Sequence, residues 1–391
     1  MAKPIALAPF FSPAQWKAAF VVSLILGTLA VSPSGNAQEH RITTFDVPGA
    51  GTAAGQGTLA YGINSVGVIA GTYYDAENIS HGFLRDPGGK LTMFDVPGDA
   101  GGTTVLGLNA EGAVVGYFVD ATPAIHAFLR TPDGKFITYD APGACTTSVN
   151  VGCHGSGAWD INILGVVVGP YEDTSGNFVA HCAIRYPDGQ FTTFEVPGSS
   201  MEAGQGTLPA ILSGLNIWGA ISGEYYDANN AFHGFLRTPT GAFIHFEAPG
   251  ADTTISFNGT FPESLNDAGA IAGYDLDVNE VYHGFLRSPA AGFTTFEVPG
   301  ADTTAGDYNG TFPSNINLSG AITGNYVDAN DVSHGFLRGP NGGFTTFEAP
   351  GADTTAGDYN GTFPVSNNGA GAITGYYIDT GNVYHGFIRE P

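Results

Sequence analysis

One twelve-residue motif, Asn-x-x-Gly-x-x-x-Gly-x-x-x-Asp, occurs seven times in this chain of 391 residues, and nothing else constrains its fold as strongly. It starts at Asn64, Asn109, Asn162, Asn216, Asn266, Asn317 and Asn368, with both glycines and the aspartate in register each time. The aspartates are Asp75, Asp120, Asp173, Asp227, Asp277, Asp328 and Asp379. Six residues after the aspartate comes a histidine that opens His-Gly-Phe-Leu-Arg or a variant: His81, His126, His233, His283, His334 and His385, with His181 after eight. A short turn such as Pro-Asp-Gly follows, then Phe-Thr-Thr-Phe-Glu-Val-Pro-Gly or a near copy. A period of this length is the mark of a repeat architecture, in which each unit is one supersecondary element.

Each unit supplies four strand candidates. One ends at the Asn, one is a short apolar run such as Val68-Ile69-Ala70, and the others are His-Gly-Phe-Leu-Arg and Phe-Thr-Thr-Phe-Glu. β-Branched and aromatic residues fill them, while Gly, Pro, Asn and Asp punctuate the joins. No part of residues 38–391 sustains a 3.6-residue period, so helix is not expected. Four antiparallel strands per unit predict an all-β fold, a seven-bladed β-propeller in one domain, residues 38–391. The first repeat opens with a spare outer strand, Ile42–Asp46, and the last stops one strand short at His385–Arg389. Pairing these two strands would close the ring and cover both edges.

Residues 42–389 resemble the extracellular HAF-type repeat proteins of bacteria, named for a His-Ala-Phe triplet. The triplet is verbatim at His126-Ala127-Phe128, five other copies read His-Gly-Phe, and His181-Cys182-Ala183 departs further. The resemblance implies export and a β-propeller-like fold, and it implies no reaction.

The N-terminus reads the same way. Lys3 and Lys17 precede the apolar run Ala18–Ala30, and Gly35 and Ala37 provide small residues for a cut before Gln38. Thirteen apolar residues are too few to span a bilayer, so residues 1–37 are expected to be a signal peptide and the protein secreted or periplasmic. Acids outnumber bases 36 to 12, and loss of two lysines takes the net charge from −24 to −26. Nucleic acid is excluded as a partner because neutralising phosphates needs a basic stripe. Anionic lipid and acidic polysaccharide are disfavoured on the same ground. Cys145 and Cys153 can close a disulfide in an oxidising compartment, leaving Cys182 over. A monomer is expected.

The repeated polar residues belong to the scaffold. Each countable histidine stands fourteen residues before an acid, as in His81 to Asp95 and His334 to Glu348, which sets the two opposite each other across a hairpin. A histidine held between that acid and the upstream aspartate is a register-pinning network, and catalysis needs one constellation rather than seven. The arginine four residues after each histidine is read as a repeated intramolecular partner, and one histidine per repeat is too sparse to share a metal ion.

Function is therefore sought where the symmetry breaks. His154, Trp159, Glu202 and Trp218 in the third and fourth repeats are the candidate ligand-binding residues, since rings beside acids suit a neutral sugar, although the high average burial of tryptophan favours both rings as fillers of core gaps. Asp302, Asp307 and Asn309, with Asp353, Asp358 and Asn360, offer hard oxygens for calcium, although ordinary turn formation explains them equally well. The sequence points to an exported binding or scaffold protein for a neutral glycan or an extracellular protein, with no resident cofactor unless calcium binds. The rival reading is a secreted glycoside hydrolase or polysaccharide lyase with paired carboxylates at the central opening.

Overall fold

The computed structural model describes residues 41–146, 155–173, 179–202, 204–211, 213–306, 309–357 and 359–391. The leader read from the sequence, Cys153, His154, Asp307 and Asp358 lie outside them. Among the described residues every regular element is a strand, and the twenty-eight strands pair antiparallel in sets of four. The first set is Gly57–Ile63, Ile69–Tyr74, Ser80–Arg85 and Leu91–Phe94. The set that ends the chain joins Gly361–Asn367, Ile373–Ile378 and Tyr384–Arg389 to Ile42–Phe45, with Ile42 opposite Arg389 and Phe45 opposite Gly386. First strands of successive sets pack on one another, so they lie innermost.

The motif residues explain this geometry one by one. Asn64 Oδ1 accepts the amides of Val66 (3.2 Å) and Val68 (2.9 Å), which folds the first turn. Gly67 completes that turn at φ +85°, a conformation that a side chain resists, and its six equivalents are also at positive φ. The second glycine is needed for space: a Cβ on Gly71 would lie 2.1 Å from Leu59 O. Asp75 Oδ1 closes the next turn by accepting the amides of Glu77 and Ile79, both at 2.9 Å. The phenylalanine two after the histidine is fully buried in Phe83, Phe128, Phe235, Phe285, Phe336 and Phe387 and forms the centre of each set's core.

Three belts of contacts then join each set to the next. In the innermost belt, the asparagine that folds its own turn with Oδ1 donates from Nδ2 to the following asparagine's carbonyl. Asn64 bonds Asn109, Asn109 bonds Asn162, Asn162 bonds Asn216, Asn266 bonds Asn317 and Asn317 bonds Asn368, at 2.9–3.3 Å. Asn368 then bonds Asn64 at 3.1 Å, across 304 residues of chain. The joint between the fourth and fifth sets uses other groups: Ile217 N donates to Asp267 Oδ1 and Trp218 Nε1 to Asp267 O, each at 2.9 Å. A middle belt places a hydroxyl under the amide that follows the preceding outer strand. Thr58 accepts from Val47, Thr103 from Val96, Ser156 from Ala141, Thr207 from Val196, Thr260 from Ala248, Thr311 from Val298 and Thr362 from Ala349.

The outer belt is made by the repeated arginines. Arg85, Arg130, Arg185, Arg237, Arg287, Arg338 and Arg389 each lie 4.8–5.0 Å over an aromatic ring of the preceding set's outer strand. Arg85 covers Phe45, which belongs to the last set. Such contacts contribute about 0.5–1 kcal/mol when exposed and about 2 when desolvated.

The asparagine belt generates a test. Asn317→Asp keeps the acceptor that folds the turn but removes the donor to Asn368, and it introduces a buried charge. It should lower unfolding stability by at least about 1–3 kcal/mol in denaturant titration. Asn216→Asp, whose onward joint is carried by Asp267, should cost clearly less. Equal losses at the two sites would mean that the amide link between sets does not hold the ring.

Candidate functional site

The histidine network is seven-fold and structural. His81 Nδ1 lies 2.7 Å from Asp95 and Nε2 3.2 Å from Asp75, and the same two contacts recur at all seven histidines. The bond to Glu247, Glu297 or Glu348 raises the pKa of His233, His283 and His334, for His283 to about 9. His283 is therefore an imidazolium between two carboxylates at neutral pH, and the shift favours the same form at His233 and His334. Glu247, Glu297 and Glu348 also accept from Thr260, Thr311 and Thr362 of the next set, at 2.8–2.9 Å, which ties this network to the middle belt.

The asymmetric residues singled out in the sequence do not assemble a site. Trp159 is 1% exposed and packs with Leu106, Tyr117, Leu208, Tyr226 and Phe232, so of the two readings, ring face or core filler, it is the core filler. Glu202 is exposed in the loop before strand Thr207–Pro209. Trp218 lies in the turn beyond the other end of that strand, where its indole N–H staples two sets together. The two are thus at opposite ends of the strands. The acidic loops behave as turns. Asp302 Oδ1 accepts from Thr304 N and Oγ1, Asp353 Oδ1 accepts from Thr355 N, and Asn309 and Asn360 donate to Asp302 and Asp353 at 3.3 and 3.2 Å. No group of three His, Cys, Asp or Glu suited to a metal occurs among the described residues. Cys145 is disulfide-bonded and Cys182 is a buried free thiol.

What the symmetry leaves over lies at two positions of each set, one just before the motif asparagine and one on the second strand. The residue three before each motif asparagine is Tyr61, Leu106, Trp159, Ser213, Glu263, Ser314 or Val365. In five sets it is the extra residue of a β-bulge, which re-aims its side chain. The residue eight after the asparagine is Thr72, Tyr117, Pro170, Glu224, Tyr274, Asn325 or Tyr376. In the first three sets both positions are buried. In the fourth to sixth, Ser213, Glu224, Glu263, Tyr274, Ser314 and Asn325 all retain accessible surface, as do Phe261 and Phe312 beside them. Bulky residues thus fill one side of the middle, and a cleft remains on the other.

Two glutamates face each other electrostatically in that cleft. Burial raises Glu263 to about 8, although the Tyr274 hydroxyl donates to it and eases the charge. Burial and then the charge of Glu263 push Glu224 well above the carboxylate range, and nothing donates a hydrogen bond to Glu224. A continuous row of rings borders them: Tyr226, Phe232, Phe261 and Tyr274, then Tyr282 and Phe312, with neighbouring centroids 4.3–5.6 Å apart. The signal in the sequence is the column itself: where the other repeats carry Tyr61, Leu106, Trp159 and Ser213, the fifth carries Glu263.

A second irregularity sits in the fifth set. A tyrosine or phenylalanine ring lies 4.8–5.3 Å from the repeat histidine in the other six sets. Asp275 replaces it beside His283, fully buried, with neither carboxylate oxygen hydrogen-bonded. Burial pushes Asp275 up to about 7, with the charge of His283 opposing. Asp160 reaches about 7 for the same first cause, while accepting Leu215 N at 2.9 Å across the joint between sets.

No known family model matches the chain, and no curated protein matches it. Among solved structures it is similar to a catalytically inactive virginiamycin B lyase from Staphylococcus aureus with quinupristin, at 15% identity and TM-score 0.55, covering 90% of this chain and 100% of that one. A streptogramin B lyase shares 13% identity at TM-score 0.55, over 89% of this chain and 97% of its own. A puromycin hydrolase shares 12% identity at TM-score 0.52, over 83% of this chain and 50% of that one. At such identities the likeness shows the fold alone, that of a β-propeller.

The titrating groups set the sign of a pH dependence. Stabilisation by His233, His283 and His334 is complete below their ordinary pKa of 6.5 and is lost as pH rises through the folded values, about 9 for His283. Asp160, Glu263 and Asp275 keep their protons in the folded state after an unfolded chain would have released them, so their contribution also falls as pH rises, through about 7 to 8. The melting temperature should therefore fall from pH 5.5 to pH 9, and Glu263→Gln should make the fall shallower. A flat or rising profile in scanning calorimetry would show that these groups are not held as described.

Proposed function

We propose that this chain is an exported seven-bladed β-propeller of the HAF-repeat type that binds a small molecule in the cleft bordered by its fourth to sixth units. One observation carries the reading: at two positions, one on or beside the first strand and one on the second, the residues of the fourth to sixth units keep accessible surface, with two glutamates and a row of rings, while the equivalent positions of the first three units are packed shut. The belts between units account for the repeated His, Arg, Asn and Thr, and none of these is left for recognition. The ligand classes expected from the sequence, a neutral glycan or an extracellular protein, narrow to a compound small enough to enter between innermost strands.

Binding is favoured over hydrolysis. A glycosidase needs one carboxylic acid and one carboxylate. Here burial raises both glutamates above the ordinary carboxylate range, which disfavours the ionised partner that such a reaction needs. The reading includes a monomer released to the periplasm or the medium after cleavage before Gln38, which cell fractionation with N-terminal sequencing checks.

Trp159 and Trp218 are the only tryptophans after residue 37. In a Trp218→Leu background, fluorescence reports Trp159 alone, packed against Tyr226 and Phe232 at the edge of the cleft. A panel of neutral sugars and small amines should contain compounds that change this signal. Tyr274→Leu, which removes a ring face and the donor to Glu263, should weaken their binding roughly tenfold or more. If ligands bind equally well after Tyr274→Leu but lose affinity in Glu202→Ala, recognition lies on the loops and the cleft is not the site.

A further inference from the structure

Resting on the assignment of the cleft as the binding site, we infer that its ligand carries an alkylammonium group, seated between Glu224 and Glu263 against the rings of Phe261, Tyr274 and Phe312. Three independent features converge on that chemistry. The first is missing counter-charge. Of the ten basic residues after residue 37, seven are the arginines stacked on outer-strand rings, and Arg41, Lys90 and Lys135 lie outside the first and second strands of every set. Among the described residues no cation reaches either glutamate, and none donates a hydrogen bond to Glu224.

The second feature is the wall. Phe261 and Tyr274 stack at 5.1 Å, Tyr274 meets Phe312 at 5.6 Å, and all three keep accessible surface. An ammonium ion with its charge spread over alkyl groups is attracted to ring faces, and the attraction grows when water is excluded. A neutral sugar would use the rings but would leave two carboxyls without the charge partner their position calls for. For a hard metal ion, no group of three His, Cys, Asp or Glu suited to holding one occurs among the described residues.

The third feature is the surrounding field. With 36 acids against 12 bases, the chain attracts cations and repels anions at long range.

The groups facing the glutamates are known. Glu224 and Glu263 face each other, Tyr274 donates to Glu263, and Tyr226 lies within the field of Glu224. A cation entering between them favours the ionised carboxylates, so it must release protons when it binds below about pH 8. Affinity should then rise from pH 6 to pH 8, opposite in sign to the stability profile of the free protein.

Calorimetric titration of the full-length exported chain with tetramethylammonium, and with glucose as the neutral probe, tests this at pH 6, 7 and 8. Two buffers of different protonation enthalpy count the protons. The inference expects tetramethylammonium to bind with proton release at pH 6 and with affinity rising toward pH 8. Glu224→Gln and Glu263→Gln, which keep shape and remove charge, should each weaken it roughly tenfold or more while melting no lower than the parent. Binding of tetramethylammonium that survives both substitutions overturns the inference. Binding of glucose alone, lost in Tyr274→Leu, also overturns it but leaves the cleft as the site. Failure of both probes and of the wider panel at the cleft overturns the inference together with the functional reading beneath it.

Discussion

The ring depends on one side chain with two different ends. An asparagine amide accepts at Oδ1 and donates at Nδ2, and six of the seven motif asparagines use both, the first on their own turn and the second on the next set. Aspartate offers only acceptors, and glutamine would carry its amide one methylene too far for the turn. This couples local folding to assembly: a turn that has not formed cannot present its donor, and a donor without a neighbour is a buried unpaired N–H. With Asn368 bonded to Asn64, the coupling runs through every set and returns to the start. The fourth joint shows how strict the requirement is, since Asp267 and Trp218 rebuild the link where the asparagine does not make it.

Around that belt the charges are arranged with the same economy. Each arginine is placed over a ring rather than beside an acid, and each histidine is placed between two acids. The few positive groups are therefore spent at the periphery. The middle receives acids with no basic partner among the described residues, and burial raises both above the ordinary carboxylate range, which favours the neutral form. A neutral carboxyl still has a desolvation penalty but not that of an isolated ion. Stability and recognition are linked through this fact, because conditions that ionise the cleft weaken the empty protein and prepare the site.

The fold was legible because repetition averages over local ambiguity: one Gly-Phe strand is a weak signal, but seven in register with the same turn residues are not. The fourteen-residue spacing from histidine to acid gave the cross-strand pairing directly, since a tight hairpin leaves little choice of partner. The arginine contacts were half legible. Their periodicity announced a structural role, but their partners are rings on a different set, and no spacing within one repeat encodes a neighbour's ring. The binding candidates were read on the wrong criterion. Tryptophan was chosen because it is rare here, yet Trp159 fills the middle of the ring and Trp218 staples a joint. Rarity of residue type says less than departure from the column in which a residue stands, and Glu224, Glu263 and Asp275 stand out only by column.

That distinction bears on how a symmetric scaffold acquires a site. Seven identical innermost strands would converge on an axis with seven equal side chains, which can either plug it or leave it open. Here large apolar residues from one arc, Tyr61, Leu106 and Trp159, close their side, and small or acidic residues from the other arc leave room. The bulge makes this cheap, because the extra residue in each first strand is outside the ladder and can change without disturbing register. The belts that hold the ring use different positions, so substitutions in the bulge column alter the middle and leave the joints intact. Asp160 marks the boundary of that freedom. It stands one residue past Trp159 and is bound into the joint through Leu215, so its burial serves assembly, whereas that of Glu263 serves none of the three belts.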